Sequence, residues 1–346
     1  MVSRATLGSV SETELLGQIL PMFGRSPYAG AGVLVPPGDD AAVIAARGSV
    51  VVTTDSMVRG RDWRDDWSSG HDVGIKVVAQ NVSDVAAMGA VPTGLLVAVA
   101  ADPSTELDWL LDLTRGVSAA AEDARCPVVG GDLSSAPRGV VMVAVTAFGD
   151  LEGRTPVLRS GARPGDEVAV AGSLGWSGAG LALHESGRED PITGEGPGRH
   201  LSEVDKAVSL LMWFHRSPRP PWESGPLAAD AGATSMIDLS DGLVRDGARI
   251  ATASGVELAL DEQALRRDFL AGPVELALGA DAGWPLVLAG GEEHSLLATF
   301  PPGRVPDDPS APWTVIGRVV DAGAQGPRLT VGGAVPGVTG WDHFAG

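Results

Sequence analysis

The 346-residue chain carries 44 acidic against 25 basic side chains, a formal net charge of −19. That balance excludes a nucleic-acid or anionic-membrane surface as the main partner, because both call for basic faces. A single cysteine, Cys126, excludes an intrachain disulfide and any cysteine-based zinc site.

Hydrophobic content of 44% supplies real cores, and the length suits two domains at about 150 residues each. The opening "MVSRATLGSVSETELLGQIL" has no continuous apolar segment of the signal-peptide kind, and no later run approaches the length of a membrane span. A soluble, cytoplasmic protein is expected. Helical spacing over Glu12–Leu20 follows Ser11, a capable N-cap. Next comes "LVPPGDDAAVI", which sets Asp39 and Asp40 between two apolar runs. A turn built on Pro36, Pro37 and Gly38 is one reading. A cation site is the other, and it requires further carboxylates in the same kind of context.

Strand-like runs follow at "SVVVTTDSMV", "GLLVAVAAD", "PVVGGDL" and "GVVMVAVTAFGD", interleaved with helical patterns over Asp72–Met88 and Thr105–Ala124. That order predicts an α/β or α+β fold. The turn-rich "RSGARPGD" (Arg159–Asp166) marks a boundary between domains of residues 1–158 and 159–346. Beyond it come a strand "EVAVAG", a helix over Ser177–His184 and a polar surface loop over Glu185–His200. A helix "EVDKAVSLLMWFH" leads into "RSPRPPWESGP", where no regular structure is expected. His184 and His215 on these helices read as surface or satisfied packing residues.

Carboxylates do recur. Asp39, Asp40, Asp55, Asp84, Asp132, Asp238 and Asp241 are all expected at or near the ends of apolar strands, where ligands collect in α/β sheets. "NVSDVAAMG" is followed by "GGD", and "DLSDGLVRDG" by "GGE", an echo that suggests two related halves. In it Asp84 and Asp241 read as helix starts capped by Ser83 and Ser240; simple capping is the bland alternative for each. Seven such acids without counter-charge would repel one another and suffer heavy desolvation. Magnesium removes the conflict, since it prefers oxygen ligands and bridges carboxylates to phosphates. Glycines beside Asp40, Asp132 and Asp241 would let a phosphate approach the backbone. The usual nucleotide loops are missing: the chain has only Lys76 and Lys206, neither in a G-x-x-x-x-G-K-[ST] context. "AGSLGWSGAGLAL" resembles a dinucleotide turn only weakly.

Taken together, "PPGDDAAVI", "VVTTDSMVRGRDW", "NVSDVAAMGAVPTGLL", "VVGGDLS", "RSGARPGDEVAVAGSLGWSGAGLAL", "MIDLSDGLVRDGARIA", "GGEEHSLL" and the terminal "GWDHF" resemble the thiamine-monophosphate kinases, in family order and over nearly the whole chain. These belong to the superfamily of aminoimidazole ribonucleotide synthetase. The resemblance implies a two-domain α/β (α+β) fold, a homodimer paired through N-terminal-domain strands, and ATP-dependent phosphorylation of thiamine monophosphate. It implies magnesium held by Asp40, Thr53, Thr54, Asp55, Asp84, Asp132, Asp238 and Asp241, with Asp84, Asp132 and Asp241 central to catalysis. ATP would meet Gly131, Asp132, Arg159 and Ser240. The thiamine part would meet Glu292 and Trp341, with Asp62 nearby. Departures gather on the acceptor side: Asp62 stands where the family has His, and Glu293 and His294 replace Asp and Tyr. A related kinase with another small-molecule acceptor is therefore the alternative.

Overall fold

The structure, a computed structural model, describes residues 5–36, 41–192 and 201–341. Asp39 and Asp40, residues 193–200 of the expected loop and the end of "GWDHF" lie outside them. The chain divides into two compact units, Met1–Val85 with Ala90–Gly153, and Ala86–Gly89 with Arg154–Gly346.

In the N-terminal unit, α1 (Glu12–Phe23) starts at a reciprocal cap: the Ser11 hydroxyl accepts the Glu14 N–H, and Glu14 accepts the Ser11 N–H. After the short pair β1 (Val33–Val35) and β2 (Val43–Ile44) come β3 (Val50–Val58), α2 (Gly70–Ala87), β4 (Val91–Ala101), α3 (Leu107–Asp123), β5 (Val128–Ser135) and β6 (Val141–Asp150). The main sheet runs β3-β6-β4-β5. Only β4 and β5 are parallel, the pairing that needs a crossover, and α3 supplies it. Along β6, Val141, Val143, Val145 and Ala147 are buried while Met142, Ala144, Thr146 and Phe148 are not. One face of the sheet is core and the other is open in the chain by itself.

The C-terminal unit contains β7 (Glu167–Ala171), α4 (Trp176–Glu185), α5 (Glu203–Arg216), α6 (Ser224–Ala231), β8 (Ser235–Asp238), α7 (Leu243–Ser254) and β9 (Val256–Leu260). It continues through α8 (Glu262–Leu265), α9 (Pro273–Leu278), α10 (Ala280–Ala289), β10 (Leu296–Phe300), β11 (Trp313–Asp321) and β12 (Arg328–Val331). Its sheet runs β12-β9-β11-β7-β10-β8. Apolar clusters cover both faces, one around Val168, Val170, Leu258 and Leu297, the other around Ala169, Ala171, Met236 and Phe300. Burial on both faces explains why these strands read as continuous apolar runs. Among the described residues no helix is long and apolar enough to cross a membrane.

Several expectations change. Asp84 does not open a helix; it lies in the last turn of α2, and Ser83 donates back to the Ala79 carbonyl at 2.8 Å instead of capping. The echo between "NVSD" and "DLSD" is therefore one of sequence, not of local structure. Asp55 and Asp132 fall inside β3 and β5, not at their ends. Ser224, Gly225 and Pro226 of the Pro-rich run already belong to α6. His184 and His215 are buried, so the surface option for them falls away.

Candidate active site

In the N-terminal unit the acids are organised by an edge strand and a helix. Asn81 and Asp84 stand three residues apart on α2, so they share a helix face. That face meets β3: Asn81 Oδ1 accepts the Asp55 N–H at 3.0 Å, and Asp84 Oδ2 accepts the Thr53 hydroxyl at 2.7 Å. Thr54 belongs to the opposite face, where its hydroxyl donates to the Val145 carbonyl and accepts from Thr146. Asp132 shares the face of Thr54, because β5 and β4 align Asp132 with Ala98, and β6 and β3 continue the row through Ala144 and Ser56. Its Oδ2 accepts the Ser134 hydroxyl at 2.7 Å. Packing requires a glycine at 131: a Cβ there would stand 2.0 Å from the Val97 carbonyl oxygen. The unit thus gathers Thr53, Asp55 and Asp84 around α2 and leaves Thr54 and Asp132 on the other face. Asp62 is half-buried, and its Oδ2 accepts the Val58 N–H at 2.7 Å, closing the turn after β3.

In the C-terminal unit three loops are stitched together. The end of β8 and the stretch after it carry Asp238, Ser240 and Asp241; the corner Gly290–Ser295 precedes β10; Gly172–Gly175 joins β7 to α4. Backbone bonds run from Glu292 N–H to Ser240 O (2.8 Å), from His294 N–H to Leu239 O (2.9 Å) and from Leu239 N–H to Ser295 O (2.8 Å). His294 Nδ1 lies 3.4 Å from Asp238 Oδ2. Asp241 Oδ2 is met by Arg249 Nη2 at 2.6 Å and Arg245 Nε at 3.5 Å, while the Asp241 N–H donates to Asp246. Burial pushes the Asp246 carboxyl up to about 7; the Asp241 N–H and Arg249 oppose the rise, and Asp238 and Asp241 add to it. Trp341, 57% exposed, donates its N–H to the Asp241 carbonyl at 2.9 Å.

The backbone of Arg159 lies at the other end of α7 from this group. Its carbonyl accepts the hydroxyl of Ser254, the last residue of α7, whereas Asp241 precedes the first. Twelve helical residues rise about 18 Å.

The sequence marks Glu293 only as a departure from the family pattern and gives no sign that it is buried under this loop cluster. Glu293 is 1% exposed; its Oε2 accepts the Ser173 hydroxyl and its Oε1 the Ser177 N–H at the start of α4, both at 2.8 Å. Burial nevertheless pushes its carboxyl up to about 7. The only signal in the sequence was the pair of departures in "GGEEH".

Among the described residues no three His, Cys, Asp or Glu side chains converge on a ready metal position. Both units do present hard oxygen donors, Thr53 and Asp84 in one and Asp238 and Asp241 in the other, and such donors are the kind that magnesium prefers.

A family model described as AIR synthase related protein, N-terminal domain, matches residues 38–151. The thiamine-monophosphate kinase of Mycobacterium tuberculosis is 44% identical over 91% of this chain and 87% of its own length. The chain belongs to the thiamine-monophosphate kinase family. Solved structures agree. That of the thiamine-monophosphate kinase from Stenotrophomonas maltophilia has a TM-score of 0.79 at 27% identity, covering 94% of this chain and 98% of the other. AaThiL complexed with AMPPCP and TMP has a TM-score of 0.73 at 28% identity, covering 97% and 99%. The kinase fold is thus matched over nearly the whole chain.

Proposed function

We propose that the chain transfers the γ-phosphoryl group of ATP to the phosphate of thiamine monophosphate, giving thiamine diphosphate and ADP by direct in-line displacement. Near full-length kinship with one kinase family carries this reading. An acceptor oxygen forms its bond to Pγ as the bond from Pγ to the β-phosphate oxygen breaks, and ADP leaves. A phosphate monoester has its second pKa at about 6, so the acceptor is already anionic at neutral pH and no general base is needed. The task is to hold two repelling anions in line, which is positioning and electrostatics.

Magnesium suits the donor set as several ions, not one, since Thr54 and Asp132 lie on the sheet face opposite Thr53, Asp55 and Asp84; the residues that would hold them are Asp40, Thr53, Thr54, Asp55, Asp84, Asp132, Asp238 and Asp241. When bound it supplies the positive charge that offsets the transferring phosphoryl group. Asp84, Asp132 and Asp241 keep that charge in register. Gly131, Asp132, Arg159 and Ser240 meet ATP, Arg159 as a fixed cation. Glu292 and Trp341 meet the thiamine part, whose cationic thiazolium suits a carboxylate beside an aromatic face; Asp62 adds negative charge on that side. Residues 1–158 serve metal, ATP and dimerisation, and 159–346 complete the nucleotide and acceptor site in a cytoplasmic homodimer. The open face of the N-terminal sheet supports the dimer: Val50, Val52 and Met142 are exposed along it.

Asp84→Asn tests the metal role, because the amide oxygen can still accept from Thr53 while the charge is gone. The fold should persist and turnover should fall at least about a hundredfold, with excess chelator silencing the wild type. Near-normal turnover in the variant, or activity under chelation, would refute it.

A further inference from the structure

Glu292 sits at the rim of the loop cluster with its side chain 36% exposed, yet its backbone has φ +62°, and His294 two residues on has φ +53°. A non-glycine residue persists in that region only where its surroundings over-determine it. The restraint comes from two buried groups. Glu293, between the two strained residues, pins the corner to Ser173 and to the start of α4. His215, 4% exposed on α5, reaches the same place from beneath: its Nδ1 lies 3.1 Å from Ser177 Oγ and 3.6 Å from Glu292 Oε2. The approach is built in, since Gly180 on α4 leaves no room for a Cβ against the Leu211 carbonyl and His215 Cβ. The ring is braced by His184, at a centroid distance of 5.9 Å, whose Nε2 meets the Met212 carbonyl.

We propose that His215 is a positioning residue for the acceptor: set between the Ser177 hydroxyl and the Glu292 carboxylate, it holds that carboxylate toward the ligand. The assignment rests on Glu292 meeting the thiamine part of the acceptor. A carboxylate aimed in advance binds a cationic ring without first losing its own rotamer freedom, whereas an unbraced one does not. ATP, bound through other residues, gains nothing from the brace.

The test is steady-state kinetics with each substrate varied in turn, for wild type, His215→Ala, His215→Asn, Glu292→Ala and the His215→Ala/Glu292→Ala double variant, with thermal melts to verify folding. In His215→Ala the KM for thiamine monophosphate should rise about tenfold, with the KM for ATP changed less than about twofold. His215→Asn, whose amide can stand in for Nδ1, should recover most of the loss. In the Glu292→Ala background the histidine change should add nothing, because its effect passes through that carboxylate. Parallel rises in both KM values, no rise, an asparagine variant no better than alanine, or additive effects would each overturn the role. If His215→Ala does not fold, Ser177→Ala and His215→Asn carry the same comparison. A wild type that turns over no thiamine monophosphate would instead overturn the acceptor reading beneath it.

Discussion

Replacing Glu293 with Gln should change how stability depends on pH, and the magnitude follows from the burial of its carboxyl. In the folded chain that carboxyl is pushed from 4.5 up to about 7. Between those values the folded state holds a proton that the unfolded state has released, so stability is highest at low pH and falls as pH rises. A rise of about 2.5 units at about 1.4 kcal/mol each is on the order of 3 kcal/mol, of which roughly 2–3 kcal/mol is lost between pH 5 and 8. Gln keeps the shape and an acceptor for the Ser177 N–H but has nothing to titrate. Urea unfolding of both proteins at pH 5 and pH 8 measures the difference. The variant should gain on the wild type by roughly 2–3 kcal/mol over that interval. Parallel pH profiles, or a variant that loses ground as pH rises, would refute the reasoning.

Gly131→Ala should destabilise the N-terminal unit by about 1–3 kcal/mol, because the new Cβ meets the Val97 carbonyl, a backbone atom with little room to yield; a melt within a degree of wild type would contradict this. Trp341→Ala should raise the KM for thiamine monophosphate while leaving that for ATP nearly unchanged, since the backbone bond from residue 341 to Asp241 survives the change. Weakened ATP binding alone would remove Trp341 from the acceptor side. Sedimentation at micromolar concentration should find a dimer, and Val52→Glu, at a position 57% exposed on β3, should shift it toward monomer. An unshifted dimer would move the interface elsewhere.

The sequence disclosed the periodic elements well, for local reasons. The cap at Ser11 and the spacing behind it mark α1, and β-branched runs mark β3, β4 and β6. Asp84 was misread because "NVSD" and "DLSD" look alike as tetrapeptides. What separates them is the preceding context, a helix already eleven residues long and buried nearly all round in one case and the buried strand β8 in the other. Asp55 and Asp132 were assigned to strand ends because charge inside an apolar run suggests a terminus. An edge strand facing Asn81 and an open sheet face accommodate them instead. The family likeness singled out Glu292 and Trp341, which the fold brings to one loop cluster beside Ser240 and Asp241, but no local pattern could reveal His215. Its partners, Ser177 and Glu292, are far away in sequence, and only the close approach of α4 and α5 at Gly180 brings them to one nitrogen.

The most direct measurement is to incubate the purified protein with γ-labelled ATP, magnesium and thiamine monophosphate and follow the label. It should appear in the terminal phosphate of thiamine diphosphate, one per ADP formed, and ADP should not accumulate when thiamine monophosphate is left out. Label released as inorganic phosphate, or ADP formation indifferent to thiamine monophosphate, would contradict the assignment and point to another acceptor at the corner of Glu292, Glu293 and His294.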